Sequence, residues 1–197
     1  MKTVKPVRIF MTGVGGQGTL TATTILAQAA TLKGLPVTSG EIHGMAQRGG
    51  VVESFLLIGC KSPKIGLGEA DILMGFEPLE TLRALPYLKT GGLVLSSTEF
   101  LPPLSVAMGK QPCPDIQAIR DKVAACTKRS AWLPCQSLGL KAGAVQAGNI
   151  ALLGALCAMD ALPFGKEAVA DALRAGLKPK VAEINLKALE LGAAAAA

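Results

Sequence analysis

The sequence predicts an α/β protein, a three-layer α/β/α sandwich around a mainly parallel sheet. Three observations carry that expectation. Short apolar runs of strand length alternate with longer helical patterns along the chain. A glycine-rich turn, Gly13 to Gly18, follows the first apolar run and opens the first helix, giving a Rossmann-like strand, turn and helix. Half of the 197 residues are hydrophobic while aromatics are only 4%, and there are 23 glycines, so the core is built from small aliphatic side chains that let helices approach a sheet closely.

Val7 to Met11 reads as the first buried strand, and Thr19 to Lys33 as a helix with Leu20, Thr24, Ala27 and Ala30 on one face, ended by Gly34. Leu35 to Ser39 is a second strand, and Gly40 to Gly50 a polar, glycine-rich loop. Val51 to Ile58 and Ala70 to Phe76 are further strands. Pro78 opens a helix to about Leu88. Gly91-Gly92 turns into a strand from Leu93 to Ser97, and a proline-rich loop with Pro102, Pro103, Pro112 and Pro114 follows. Asp115 caps a helix to about Thr127, and Trp132 to Ser137 is a last strand. Helices follow at Ala147 to Met159, Lys166 to Ala175 and Val181 to Leu191, with a frayed alanine tail from Ala193 to Ala197. No repeat or linker divides residues 1–197, so one domain is expected.

Charge excludes some functions. Lys and Arg number 20 against 14 acids, a net charge of +6 with no long run of one sign. One Trp and one Tyr offer little stacking surface, so no nucleic-acid partner is expected. A mildly basic chain suits a phosphorylated ligand or an acidic protein partner. No stretch approaches the roughly 20 apolar residues that span a bilayer, and a cytoplasmic, membrane-free protein is expected. Cys60, Cys113, Cys126, Cys135 and Cys157 show no CxxC spacing, and His43 is the single histidine. Neither an iron–sulfur cluster nor a zinc site is expected from that spacing.

Two segments carry chemistry. Gly13-Val14-Gly15-Gly16-Gln17-Gly18 fits G-x-G-x-x-G, which brings backbone N–H groups and a helix N-terminus toward a phosphate. Glu41 follows about where a dinucleotide ribose asks for an acid. A freestanding NAD(P)- or FAD-binding oxidoreductase is therefore one reading, and a tight turn that binds nothing is another. The second segment, Ser39 to Gly50, gathers Glu41, His43, Met45, Gln47 and Arg48 among flanking glycines. Arg48 can offer a bidentate fork to a phosphate or carboxylate, and His43 a proton. Alternatively Arg48 pairs with Glu41, and His43 and Gln47 satisfy backbone groups.

The first of these segments, followed by Glu41-Ile42-His43-Gly44-Met45-Ala46-Gln47-Arg48-Gly49-Gly50, resembles the gamma-type subunit or domain of the 2-oxoacid:ferredoxin oxidoreductases, in particular the beta subunits of its indolepyruvate branch. The likeness continues in Gly68 to Leu73, Phe76 to Glu80, Gly148 to Leu156 and Pro179 to Leu189, in order, and is loose between 98 and 145. Gly40 is an extra residue between the family's Ser and Glu. The resemblance implies a subunit of an enzyme that decarboxylates a 2-oxoacid such as an aryl pyruvate and passes the acyl group to coenzyme A and the electrons to ferredoxin. Thiamine diphosphate and iron–sulfur clusters are then expected on a large alpha subunit, with no cofactor bound by this chain alone. No residue here is expected to perform the carbon–carbon bond chemistry. Glu41, His43, Met45, Gln47 and Arg48 are expected to face the active-site cleft or coenzyme A, and Gly13, Gly15, Gly16, Gln17 and Gly18 to bind an anion or pack beneath them. A pure assembly subunit is a third reading. The isolated chain is expected to be colourless and inactive and to be able to form a homodimer.

Overall fold

The computed structural model describes residues 4–43, 50–60, 62, 64–102, 106, 108–112 and 115–196. Six strands form one sheet: β1 (Val7–Val14), β2 (Val37–His43), β3 (Val51–Ile58), β4 (Ala70–Gly75), β5 (Leu88–Ser97) and β6 (Ser130–Leu133), in the order β2-β3-β1-β4-β5-β6. β1, β4, β5 and β6 pair parallel, and β3 pairs antiparallel with both β1 and β2, so five strands share one direction. The mainly parallel sheet is thus present, with a hairpin inside it. A parallel crossover needs a dozen or more residues, and the span between His43 and Val51 is shorter than that.

Alternating side chains make two cores. Ile9, Met11, Leu56, Ile58, Ile72, Met74, Leu93 and Leu95 point to one face, and Phe10, Leu57, Leu73 and Val94 to the other. The first face carries α1 (Thr19–Leu32), with α4 (Cys135–Ala142), α5 (Gly148–Ala158), α6 (Lys166–Gly176) and α7 (Pro179–Ala196). The second carries α2 (Pro78–Ala84) and α3 (Ile116–Cys126). Every residue of α5 from Gly148 to Leu156 is buried, as befits a helix apolar all round. α7 closes over it: a Cβ on Gly154 would lie 2.0 Å from the Leu189 carbonyl oxygen, and one on Gly192 would lie 1.8 Å from that of Ala151. Glycine at both positions sets the separation of the two helices.

Start and stop signals held in most places. Pro78 is at the first turn of α2, and Glu77 accepts from the Glu80 N–H at 2.9 Å. Asp115 caps α3 through the Gln117 N–H. Gly34, at φ 70°, ends α1.

Several boundaries moved. β2 runs to His43, so Glu41 and His43 stand in a strand instead of a loop; pairing with β3 overrides the glycine. β5 begins at Leu88 and passes through Gly91-Gly92. The strand expected from Trp132 to Ser137 stops at Leu133, and Cys135 already belongs to α4. Of the four residues expected on one face of α1, Leu20 and Thr24 are exposed, Ala27 packs against the core and Ala30 is buried, with Ala22, Ile25, Leu26 and Ala29 buried beside it. With no charge in this helix, the pattern had little to mark its outer face. Ala193 to Ala196 is helical, because α7 packs along its length on α5.

Candidate functional site

β1 and β4 lie side by side and parallel, but the chain leaves them to opposite faces, into α1 and into α2. Such a divergence opens a crevice at the carboxyl ends of the strands, where open α/β sheets bind ligands. A cleft of about 320 Å³ occupies it. Gly15 and Gly16 follow β1, Phe76 follows β4, Leu101 follows β5, Gln136 follows β6, and Asn149 opens α5.

The glycine loop is shaped by local demands. The Val14 N–H donates to the Gln17 side-chain carbonyl at 2.8 Å, and the Gln17 N–H donates to the Val14 carbonyl at 3.1 Å, closing the turn. The Gly15 N–H donates to the Gly50 carbonyl at 2.9 Å, tying the loop to the start of β3. Gly16 and Gly18 have φ of 99° and 81°, the left-handed region that L side chains avoid. A Cβ on Gly18 would sit 2.3 Å from the Asn149 side-chain nitrogen, which donates to the Gly18 carbonyl at 3.1 Å. A Cβ on Gly13 would crowd Gln17, Phe76 and Thr19. Turn geometry and packing thus account for Gly13, Gly16 and Gly18.

Among the described residues no charged side chain lines the cleft; Gln17, Gln136, Gln146 and Asn149 supply amides beside Phe76, Leu101 and Val145. Glu99 lies just beyond β5, and its carboxylate accepts from the Gln136 N–H, and from the Ser137 N–H at 3.1 Å and hydroxyl at 2.6 Å. The positive end of α4 is therefore occupied by the protein's own anion. On the α2 side stand Glu77 and Glu80, both buried, and the half-buried Glu53 of β3. Burial pushes the Glu77 carboxyl above the ordinary range, against N–H groups of Glu80, Leu79 and Leu101 that pull it down. Burial also raises Glu80, opposed by the Arg83 guanidinium, and Glu53.

Among the candidates named from sequence, Gly13, Gly15, Gly16, Gln17 and Gly18 form one turn, and Gly15, Gly16 and Gln17 line the cleft. Glu41 is exposed on β2. His43 ends β2 in register with Val52, which pairs on its other side with Gly13. Met45, Gln47 and Arg48 lie outside the described residues. Sequence reasoning missed Phe76, Glu99, Gln136 and Asn149 as site residues. Asn149 was visible in principle, as a polar residue opening an otherwise apolar helix.

The dinucleotide reading fares poorly against this topology. It requires the acid at the end of a strand adjacent and parallel to β1. Here β3 intervenes, so β2 and its Glu41 stand two strand spacings away, about 10 Å. Among the described residues no three His, Cys, Asp or Glu side chains converge on a possible metal position. Cys60, Cys126, Cys135 and Cys157 are free thiols, and burial pushes Cys135 up to about 12 and Cys157 to about 11. This thiol set does not fit an iron–sulfur cluster. No described helix is long and apolar enough to cross a membrane.

Comparison with known proteins agrees with this geometry. Residues 8–195 match the family described as pyruvate ferredoxin/flavodoxin oxidoreductase. Indolepyruvate oxidoreductase subunit IorB of Archaeoglobus fulgidus is 40% identical over 185 residues, 93% of this chain and 92% of that protein. The subunit of the same name from Pyrococcus horikoshii is 37% identical over 196 residues, 98% of this chain and 97% of that one. The gamma subunit of a keto/oxoacid ferredoxin oxidoreductase from Geobacter sulfurreducens superposes with a TM-score of 0.70 at 25% identity, covering 96% of this chain and 98% of that chain. With a family match spanning almost its whole length and relatives at this identity from end to end, the chain belongs to the pyruvate ferredoxin/flavodoxin oxidoreductase family.

Proposed function

We propose that the chain is the cluster-free small subunit of a cytoplasmic indolepyruvate-type 2-oxoacid:ferredoxin oxidoreductase, and that it works only in complex with a large subunit. The observation that carries this reading is the end-to-end likeness, 40% and 37% identical, to two proteins named as indolepyruvate oxidoreductase subunits. Iron–sulfur clusters belong on the large subunit, in keeping with the dispersed cysteines of this chain. So does thiamine diphosphate, which supplies the carbanion chemistry when bound.

This chain's share is positional. The crevice at the carboxyl ends of β1, β4, β5 and β6 forms one wall of the assembled site, and the segment from Glu41 through His43, Met45 and Gln47 to Arg48 faces it or coenzyme A. Arg48 meets an anionic group there, with Gln47 and His43 as hydrogen-bonding neighbours. The glycine loop supports that segment from below, since the Gly15 N–H holds Gly50, the residue with which the segment returns to the sheet. The described lining of amides and Phe76 suits the neutral, hydrogen-bonding part of a large ligand, with its anionic part left to Arg48.

Arg48→Ala in the reconstituted complex tests this assignment. The expected outcome is normal assembly by size exclusion, with turnover or coenzyme A affinity lowered tenfold or more, because a lost charge-assisted contact costs about 1.5–3 kcal/mol. A mere ion pair with an exposed Glu41 contributes roughly 0–1 kcal/mol. Wild-type kinetics in a correctly assembled variant would remove Arg48 from the site.

A further inference from the structure

A second cavity lies at the amino ends of the strands. β1, β4, β5 and β6 run parallel, so their starts gather at the opposite end of the sheet from the crevice. A pocket of about 350 Å³ opens there, within the range that holds small molecules. Lys5 precedes β1, Asp71 and Lys89 stand at the starts of β4 and β5, Arg129 precedes β6, and Asp160 follows α5. Charged side chains from five parts of the chain thus line one cavity, and Val7 and Leu162 give it an apolar wall.

These charges do not cancel one another. The Asp71 carboxylate accepts from the Arg8 N–H at 2.7 Å with one oxygen and from the Lys89 ammonium with the other. Lys5, Arg129 and Asp160 are exposed and, among the described residues, their side chains form no ion pair or hydrogen bond. Two cations and one acid therefore share the pocket without closing on each other. Asp160 is also out of place by local chemistry. It follows Met159, the C-cap of α5, with φ 48°, and among the described residues it is the one non-glycine residue in the left-handed region. Glycine is the usual residue there, and the negative end of a helix repels a carboxylate. Neither the backbone nor the helix asks for this acid, and strained positions of this kind gather where a side chain has a task.

We propose that this pocket binds a free α-amino acid with an apolar side chain. The ligand's ammonium group meets the Asp160 carboxylate at the carboxyl end of α5, where the helix itself favours a cation. Its carboxylate meets Arg129, whose planar fork matches a carboxylate, with Lys5 as the second cation. Its side chain lies against Val7 and Leu162. A simple anion would satisfy the two cations and leave Asp160 repelled, and a simple amine would do the reverse. A head group that carries both charges on neighbouring atoms answers all three side chains at once. Asp71 and Lys89, already paired, hold one wall of the pocket. The site is separate from the crevice and independent of the catalytic role proposed above.

Isothermal titration calorimetry of the full-length chain tests the proposal, with L-leucine and L-phenylalanine as probes. Saturable binding of at least one of them, one molecule per chain, is the expected result. Isocaproate and hydrocinnamate, which lack the ammonium group, and isoamylamine and phenethylamine, which lack the carboxylate, are expected to bind at least tenfold more weakly. Asp160→Asn keeps a residue that tolerates the left-handed backbone and removes the charge. It is expected to weaken binding at least tenfold with an equal or higher melting temperature. Arg129→Gln is expected to weaken binding as much, with an unchanged circular dichroism spectrum, whereas Lys187→Gln, an exposed change on α7, leaves binding as in wild type. Absence of saturable binding of either amino acid at millimolar concentration overturns the proposal, as does binding indifferent to Asp160→Asn and Arg129→Gln. Inorganic phosphate or the two carboxylates binding as tightly as the amino acids also overturns it, because the pocket is then a plain anion site. So does binding by the chain alone that is lost once the large subunit is co-purified with it, because the pocket is then a contact with that subunit.

Discussion

Gly18→Ala probes the link between the glycine loop and α5. Gly18 combines a left-handed backbone, φ 81° and ψ 27°, with a Cβ position 2.3 Å from the Asn149 side-chain nitrogen. A non-glycine residue in that backbone region costs about 1–2 kcal/mol. Displacing Asn149 also removes its hydrogen bond to the Gly18 carbonyl, about 0.5–1.5 kcal/mol, inside a site where Asn149 is 7% exposed. Together these give a loss of about 1.5–3.5 kcal/mol. Gly16→Ala is the internal reference: its φ is 99° but nothing lies within 4 Å of the added Cβ, so only the backbone contribution applies. Urea denaturation followed by far-ultraviolet circular dichroism is expected to rank Gly18→Ala below Gly16→Ala by about 0.5–1.5 kcal/mol, with unchanged m-value. Asn149→Ala removes the obstacle, so the double substitution should be less destabilising than the sum of the singles by about 1 kcal/mol. Equal effects of the two glycine substitutions, or simple additivity in the cycle, would refute the proposed contact.

Three further outcomes follow from the packing and the titrating groups. Gly192→Ala forces α7 off the Ala151 carbonyl and is expected to destabilise the chain by about 1–3 kcal/mol despite a helix-propensity gain of about 1 kcal/mol; a neutral or stabilising result in thermal unfolding contradicts the close crossing. Burial holds the Glu77 carboxyl above its ordinary value of 4.5, so the folded chain holds that proton more tightly than the unfolded one. Its contribution therefore favours folding least above the folded value and relatively more below 4.5. Glu77→Gln is then expected to gain stability relative to wild type on going from pH 5 to pH 7, and parallel pH profiles of the two proteins would contradict this. Alkylation of the native protein at pH 8, read by peptide mass spectrometry, is expected to modify exposed Cys126 before Cys135 and Cys157, whose thiols burial holds near 12 and 11; early labelling of Cys135 contradicts its placement.

Much of the fold was legible because its signals are local. Val7 to Val14, Val51 to Ile58 and Ala70 to Gly75 are apolar runs of strand length, and Pro78, Asp115 and Gly34 punctuate helices by their own backbone chemistry. What was not legible depends on distant partners. α4 follows Pro134 and has its first N–H groups satisfied by Glu99, more than thirty residues upstream, so no nearby capping residue announced it. Glu41 and His43 read as loop because Ser39-Gly40 looks like a turn, whereas β3 recruits the whole run into a strand. The glycine loop was placed correctly from its spacing, but Phe76, Gln136 and Asn149, which share its cleft, come from three other parts of the chain. Family likeness marked Asn149 as part of a shared motif without indicating its contact with Gly18.

As proposed, this chain is one half of a working enzyme. The direct measurement is aryl-pyruvate-dependent and coenzyme-A-dependent ferredoxin reduction by three preparations: the chain alone, the large thiamine and iron–sulfur subunit alone, and the two co-purified. Activity only in the co-purified preparation, with a colourless and inactive small chain, is the predicted result. Saturable binding of NADH or FAD by the chain alone, or full activity of the large subunit without it, would contradict the account.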